Sequence, residues 1–159
     1  EGHRGGHGCR RWLVVLGDLV RYHRAIPGLG EDERLRHRDA AMRCYNAALF
    51  LKPANGNPHN QLAVIASRDG NELEQLYHYC RSLACKDPFP TALENMRLVF
   101  KNNEEMFLAV QKNLQKKKFS KKKGRAASVR QETAQAPKLD KLSYFVVEFV
   151  RVHGILFMK

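Results

Sequence analysis

Asp18, Arg21 and Tyr22 stand together in the stretch LGDLVRYHR, residues 16–24. On a helix, residues three apart are neighbours, so Asp18 lies one turn before Arg21. A guanidinium is planar, permanently charged, and meets a phosphate or carboxylate through two parallel N–H bonds. Two readings of Arg21 follow. It contacts a phosphate, with Asp18 holding it in place and the Tyr22 hydroxyl as a further donor. Or it forms an i, i+3 ion pair with Asp18 on a solvated face, worth about 0–1 kcal/mol, while the Tyr22 ring packs between helices. A phosphoserine carries about −1.5 to −2 charge near neutral pH, so a phosphate site calls for more than one cation. Asn60 is a third candidate, because its side-chain amide offers both a donor and an acceptor to an extended peptide backbone. Its place just after Pro58 equally suits the first turn of a helix.

The formal net charge of +12 is local. Residues 112–138 hold ten Lys or Arg and one acid, Glu132, a net of +9, which leaves +3 for the rest. Within that run Lys116, Lys117, Lys118, Lys121, Lys122 and Lys123 form a cluster that suits nucleic-acid phosphates or a nuclear localisation signal. Phe119 is its one aromatic residue, too few for a base-stacking platform. Ser128 follows Arg125 by three residues, a spacing basophilic kinases accept, and a solvated, flexible insertion is the plain alternative.

Cys9, Cys44, Cys80 and Cys85 make no CxxC pair, and His59, His78 and His153 are far apart in sequence, so no metal is expected. Neither a Ser-His-Asp set, a carboxylate pair nor a phosphate-cradling glycine loop is present, so we expect no catalytic residue, no enzyme activity and no cofactor. The apolar stretch from Tyr144 to Met158 is broken by Glu148 and Arg151 and is too polar to span a membrane.

The elements that would position these residues all read as helix, so the expected class is all-α. In residues 11–25, Trp12, Leu13, Val15, Leu16, Leu19 and Val20 fill a broad apolar arc. Val14, Gly17, Asp18 and Arg21 share the opposite side. Ala41, Met42, Tyr45, Ala48 and Leu49 form an amphipathic stripe up to about Leu51. A third helix from about Pro58 carries Leu62, Ala63, Ile65 and Ala66. Gly70 suits that helix's end and Asn71 the next N-cap. The fourth helix, about 72–86, sets Leu73, Leu76, Tyr77, Cys80, Leu83 and Ala84 inward and stops before Pro88 and Pro90. A fifth runs from about Thr91 to about Lys117, and a sixth spans about 139–158. The expected domain plan is a Gly- and His-rich end at 1–10, helical hairpins over 11–111, a basic disordered insertion at 112–138, and a truncated helix at 139–159.

Residues 16–53 and 62–88 read as two related units. Small residues at Gly17, Ala41 and Ala63 let antiparallel helices approach, and Tyr45 and Tyr79 fill the gaps. This pattern resembles the tetratricopeptide repeat. More specifically, LGDLVRY, NPHNQLAVIAS, GNELEQLYHYCRSLACKDPFPTALENM and FVVEFVRVHG, in that order, closely resemble the Est/SMG family. That family holds the telomerase-associated Est proteins and the nonsense-mediated mRNA decay adaptors. The resemblance covers about residues 12–105 and 140–157, with the basic run inserted between.

It implies a 14-3-3-like domain built from such hairpins, which recognises phosphoserine or phosphothreonine segments of the up-frameshift RNA helicase. It assigns the phosphate to Arg21 of the LGDxxRY motif, with Tyr22 beside it, Asp18 in support and Asn60 on the ligand backbone. The family pocket also draws a basic residue from a helix upstream of this motif, which this chain does not contain. Other partners the resemblance implies are a family member as heterodimer partner, and RNA or telomerase. Cytoplasmic and nuclear localisation follows as an expectation. The competing functions are RNA or telomerase binding through the basic run and a plain helical scaffold without phosphate dependence. With the apolar arc of residues 12–20 uncovered, poor solubility is expected of the chain by itself.

Overall fold

The computed structural model describes residues 5–122 and 140–157. Among these residues it is all helical. The elements are α1 (Gly5–His23), α2 (Glu31–Leu51), α3 (Asn57–Arg68), α4 (Glu72–Ala84), α5 (Ala92–Lys122) and α6 (Lys141–Phe157). Helix α1 begins inside the glycine-rich end. Helix α5 continues five residues past its expected stop at Lys117, to Lys122, into the run read as disordered. Lysine is a good helix former, and its charge does not itself end a helix. Residues 123–139, including Lys123 and Ser128, lie outside the described residues.

Contacts divide the chain into two units, residues 1–96 and 97–159. In the first, α1 pairs with α2 and α3 with α4, and α2 also packs on α3. The pairings run antiparallel: Gly17 meets Tyr45 while His23 meets His37, and Gly56 meets Ser82 while His59 meets His78. Val14, Ala41, Tyr45, Ala48, Leu62 and Ile65 form a buried cluster. The stripes expected on α2 and α3 therefore face the core. Between α3 and α4 the chain turns at Gly70, whose φ of +71° is left-handed and suits glycine. The Asn71 side chain then accepts from the Glu74 amide at 3.2 Å, capping α4.

On α1 the side with Val14, Gly17 and Arg21 is buried, while the apolar arc expected to lie uncovered in this chain is exposed, with Trp12 at 71% and Leu19 at 62%; the facing of α4 differs from expectation. The small side wins because Gly17 admits the Tyr45 ring, and a Cβ there would lie 2.6 Å from its Cε1. On α4 the buried residues are Leu76, Tyr79 and Ser82, whereas Leu73, Tyr77 and Cys80 are exposed. Helix α4 is therefore turned toward the face where Ser82 is small enough to lie beside the Gly56 backbone.

The loops that follow α2 and α4 are tied together. The Gly56 amide donates to the Asp87 carbonyl, and the Asp87 amide to the Ala54 carbonyl, each at 2.9 Å. The buried Ser82 hydroxyl donates to the Gly56 carbonyl at 2.8 Å. A Cβ on Gly56 would run into the Ser82 carbonyl oxygen.

In the second unit, α5 and α6 are also antiparallel. Phe100 lies against Gly154 and Phe157, Arg151 sits 4.1 Å over the Phe107 ring, and Gln111 donates to the Tyr144 hydroxyl at 3.4 Å. Asp140 caps α6 by accepting from the Ser143 amide at 2.7 Å. No described helix is long and apolar enough to cross a membrane.

Candidate functional site

Helix periodicity puts Asp18 and Arg21 on the face of α1 that meets α2, opposite Tyr45. Arg21 Nη2 donates to Asp18 Oδ1 at 3.3 Å, and Nε donates to the Tyr45 hydroxyl at 3.2 Å. That hydroxyl in turn donates to Asp18 Oδ1 at 2.8 Å. The three side chains thus close a ring of hydrogen bonds in which one carboxylate oxygen accepts twice. The guanidinium carbon lies 4.3 Å from the Tyr22 ring centroid, a cation–π contact. Arg21 is only 5% exposed, whereas Tyr22 is 60% exposed and forms the outward edge of the group.

A buried charge is costly unless it is paired and hydrogen-bonded. Burial pulls the Arg21 pKa down, but the bonds to Tyr45, Tyr22 and Asp18 outweigh it, so the guanidinium is held more firmly charged than usual. Burial, and then the bond to Asp18, pushes the Tyr45 hydroxyl well above its ordinary value and keeps it neutral. The result is a fixed cation in a frame that cannot lose its proton.

Asp18, Arg21 and Tyr22 are therefore brought together. Asn60 is bonded elsewhere: it is buried on α3, and its Oδ1 accepts from Asn95 Nδ2 at 3.1 Å. The backbone at 116–122 belongs to α5, but the side chains of Lys116, Lys117, Lys118, Lys121 and Lys122 lie outside the described residues. Sequence reasoning missed the hydroxyl of Tyr45 as a member of the Arg21 group. Its signal was the small residue at Gly17, which was read only as room for a ring.

Two further polar clusters have no local sequence signal. His59 and His78, nineteen residues apart, meet between α3 and α4 with their Nδ1 atoms 3.0 Å apart. One ring must donate and the other accept. Burial first, then the charges of His78 and Arg81, pushes the His59 pKa down to about 4, and burial lowers that of His78. Glu74 approaches His78 Nε2 at 4.0 Å. Among the described residues no three His, Cys, Asp or Glu side chains group to hold a metal ion. The second cluster is an ion-pair latch. Arg24, just past α1, donates to Asp69 Oδ1 at 2.7 Å, and Arg38 of α2 lies 3.7 Å from Asp69 Oδ2.

Comparison with known proteins bears on these residues. The model of a family described as the Est1 DNA/RNA binding domain matches residues 41–159, which takes in Tyr45 but not Asp18 or Arg21. The chain is 37% identical, over 95% of its length, to the nonsense-mediated mRNA decay factor SMG7 of Arabidopsis thaliana. It is 37% identical over 69% of its length to the decay factor SMG5 of Danio rerio, and 29% identical over 67% to that organism's telomerase-binding protein EST1A. The chain spans only about 15% of the SMG7 relative, 9% of SMG5 and 6% of EST1A.

Proposed function

The chain belongs to the Est/SMG family, and on that premise we propose that it is part of a phosphopeptide-binding adaptor of nonsense-mediated mRNA decay. Its ligand is a phosphoserine or phosphothreonine segment, in the first instance the phosphorylated tail of the up-frameshift RNA helicase. The decay factors among its relatives support the pathway. The observation that carries the phosphate is the Arg21 group: a permanently charged fork, fixed by Tyr45 and Asp18, beneath the exposed Tyr22 ring. A phosphate approaches from the Tyr22 side, and the Tyr22 hydroxyl is the further donor available there. Asn60, tied to Asn95, serves the ligand backbone only through the bonds its amide has left.

The test is calorimetric titration of the full-length protein with a phosphoserine peptide from the helicase tail, beside its unphosphorylated twin. Phosphate-dependent binding that Arg21→Glu abolishes is the expected result. Binding indifferent to phosphate, or to Arg21→Glu, overturns the reading and leaves a plain helical scaffold.

A second reading rests on the family's description as DNA/RNA binding and on the telomerase-binding relative. The lysines from Lys112 to Lys123 would then meet the phosphates of a single strand, each contact adding about 0.7 to the salt slope of binding. Deleting residues 112–130 should lower RNA affinity and flatten that slope, and an unchanged slope removes this reading. Residence in both cytoplasm and nucleus goes with the two roles, and imaging the tagged protein with nuclear export blocked tests it.

A further inference from the structure

We infer that Tyr45 is a positioning residue for phosphate recognition, selecting which edge of the Arg21 guanidinium a ligand meets; this rests on the phosphopeptide reading above. A guanidinium offers two bidentate edges, one side-on through Nε and Nη2 and one end-on through Nη1 and Nη2. The Tyr45 hydroxyl occupies Nε at 3.2 Å, and Asp18 meets Nη2 at 3.3 Å. The side-on edge is thus shared between two different groups, so a ligand meets the guanidinium at its end-on edge, beside the Tyr22 side chain that also contacts it.

The division depends on Tyr45. Its hydroxyl holds Asp18 Oδ1 at 2.8 Å while filling the Nε position itself. This keeps the carboxylate from taking both side-on hydrogens in the tighter bidentate pairing. The placement is rigid, because the Tyr45 ring is wholly buried and lies directly on Gly17. Without the hydroxyl, Nε has no acceptor and Asp18 has lost the nearer of its two donors. The carboxylate and guanidinium then turn toward each other. Asp18 becomes an internal competitor for the charge that a phosphate must claim.

Tyr45→Phe removes one oxygen and leaves the ring on Gly17. The probe is a peptide mixture degenerate around a fixed phosphoserine, compared with the same mixture carrying serine, and the full-length protein is titrated with each. Tyr45→Phe should lower the preference for the phosphorylated mixture about tenfold, the scale of one hydrogen bond to a charged group, and leave binding of the serine mixture unchanged. Adding Asp18→Asn to Tyr45→Phe should restore preference, because the competing charge is gone. In the absence of peptide, the Arg21 Nε–H resonance should be protected from solvent exchange in the parent, and in Tyr45→Phe it should stay protected but shift, because the Asp18 carboxylate replaces the hydroxyl as its acceptor.

Preference that falls in Arg21→Gln but not in Tyr45→Phe overturns the positioning role. Equal weakening of both peptide mixtures, with no rescue by Asp18→Asn, also overturns it and makes Tyr45 a packing residue. No phosphate preference in the parent, with the Nε–H resonance protected there and shifted in Tyr45→Phe, overturns the phosphopeptide reading and the role in recognition with it, leaving Tyr45 as the residue that fixes Arg21.

Discussion

Acid should loosen the α3–α4 hairpin through one pair of side chains. His59 is 8% exposed, and its Nδ1 lies 3.0 Å from that of His78. The neutral pair needs one proton between those two atoms, and a first added proton can sit on an outer nitrogen. A second puts hydrogen on both facing atoms and breaks the bond. In the unfolded chain an imidazole titrates near 6.5, whereas His59 in the fold does so at about 4. Between these values the unfolded state holds more protons, so stability is whole above pH 6.5 and is lost as pH falls toward 4. One proton's difference is worth about 1.4 kcal/mol per pH unit, so the pKa drop from 6.5 to about 4 represents about 3 kcal/mol. That is a large share of a domain's usual stability of about 5–15 kcal/mol. Urea unfolding followed by far-ultraviolet circular dichroism, from pH 7 to pH 4.5, measures it. Fluorescence of Trp12 would serve poorly because that ring is already 71% exposed. His59→Gln removes the titrating ring, keeps a polar partner for His78, and leaves the carboxylates that acid also affects unchanged. The parent should lose about 2–3 kcal/mol more than the variant over this range. Equal losses, or a His59 ring resonance titrating near 6.5, would refute the reasoning.

Gly17→Ala gains about 1 kcal/mol in helix propensity but drives a methyl to 2.6 Å from the Tyr45 ring, so the overpacking cost of about 1–3 kcal/mol should prevail. A lowered melting temperature checks this, and a raised one contradicts it. Gly56→Ala should be harsher, at about 3 kcal/mol or more, because its methyl meets the backbone of Ser82 and Phe89, which cannot turn aside as a side chain can. The urea midpoint is the measure, and a near-parental value would count against the close approach. Asp69→Asn leaves the charge on Arg24 without its carboxylate and should cost about 1–2 kcal/mol. That cost should shrink in high salt, and a salt-independent loss would point to packing instead.

Local patterns carried most of the fold. The stripe from Ala41 to Leu49, the Gly70–Asn71 turn and the stop before Pro88 depend on residues a few positions apart, so the sequence displays them directly. The Asp18–Arg21 pair is equally local and was visible as a candidate site. What was hidden depends on which helix lies opposite. Near Arg21 only Gly17 hints at the Tyr45 ring, without announcing its hydroxyl, and nothing near His59 announces His78. The facing of α4 differs for a related reason: apolar content suggests Leu73 and Tyr77 as inward residues, whereas close approach favours the side where Ser82 is small. The long α5 shows the same limit, since charge density at 112–122 describes solvation and not backbone conformation.

The exchange of backbone bonds among Ala54, Gly56 and Asp87 has a consequence for local opening. A helical hairpin ordinarily frays at its open end, away from the turn. Here the open end of the α3–α4 hairpin is stitched, and the Gly56 and Asp87 amides, though in loops, lie inside that stitch. Their deuterium uptake should be as slow as that of the interior of α3, so α3 and α4 should open as a single cooperative unit. A partner that pries α4 from α3 would have to release both ends of the hairpin at once.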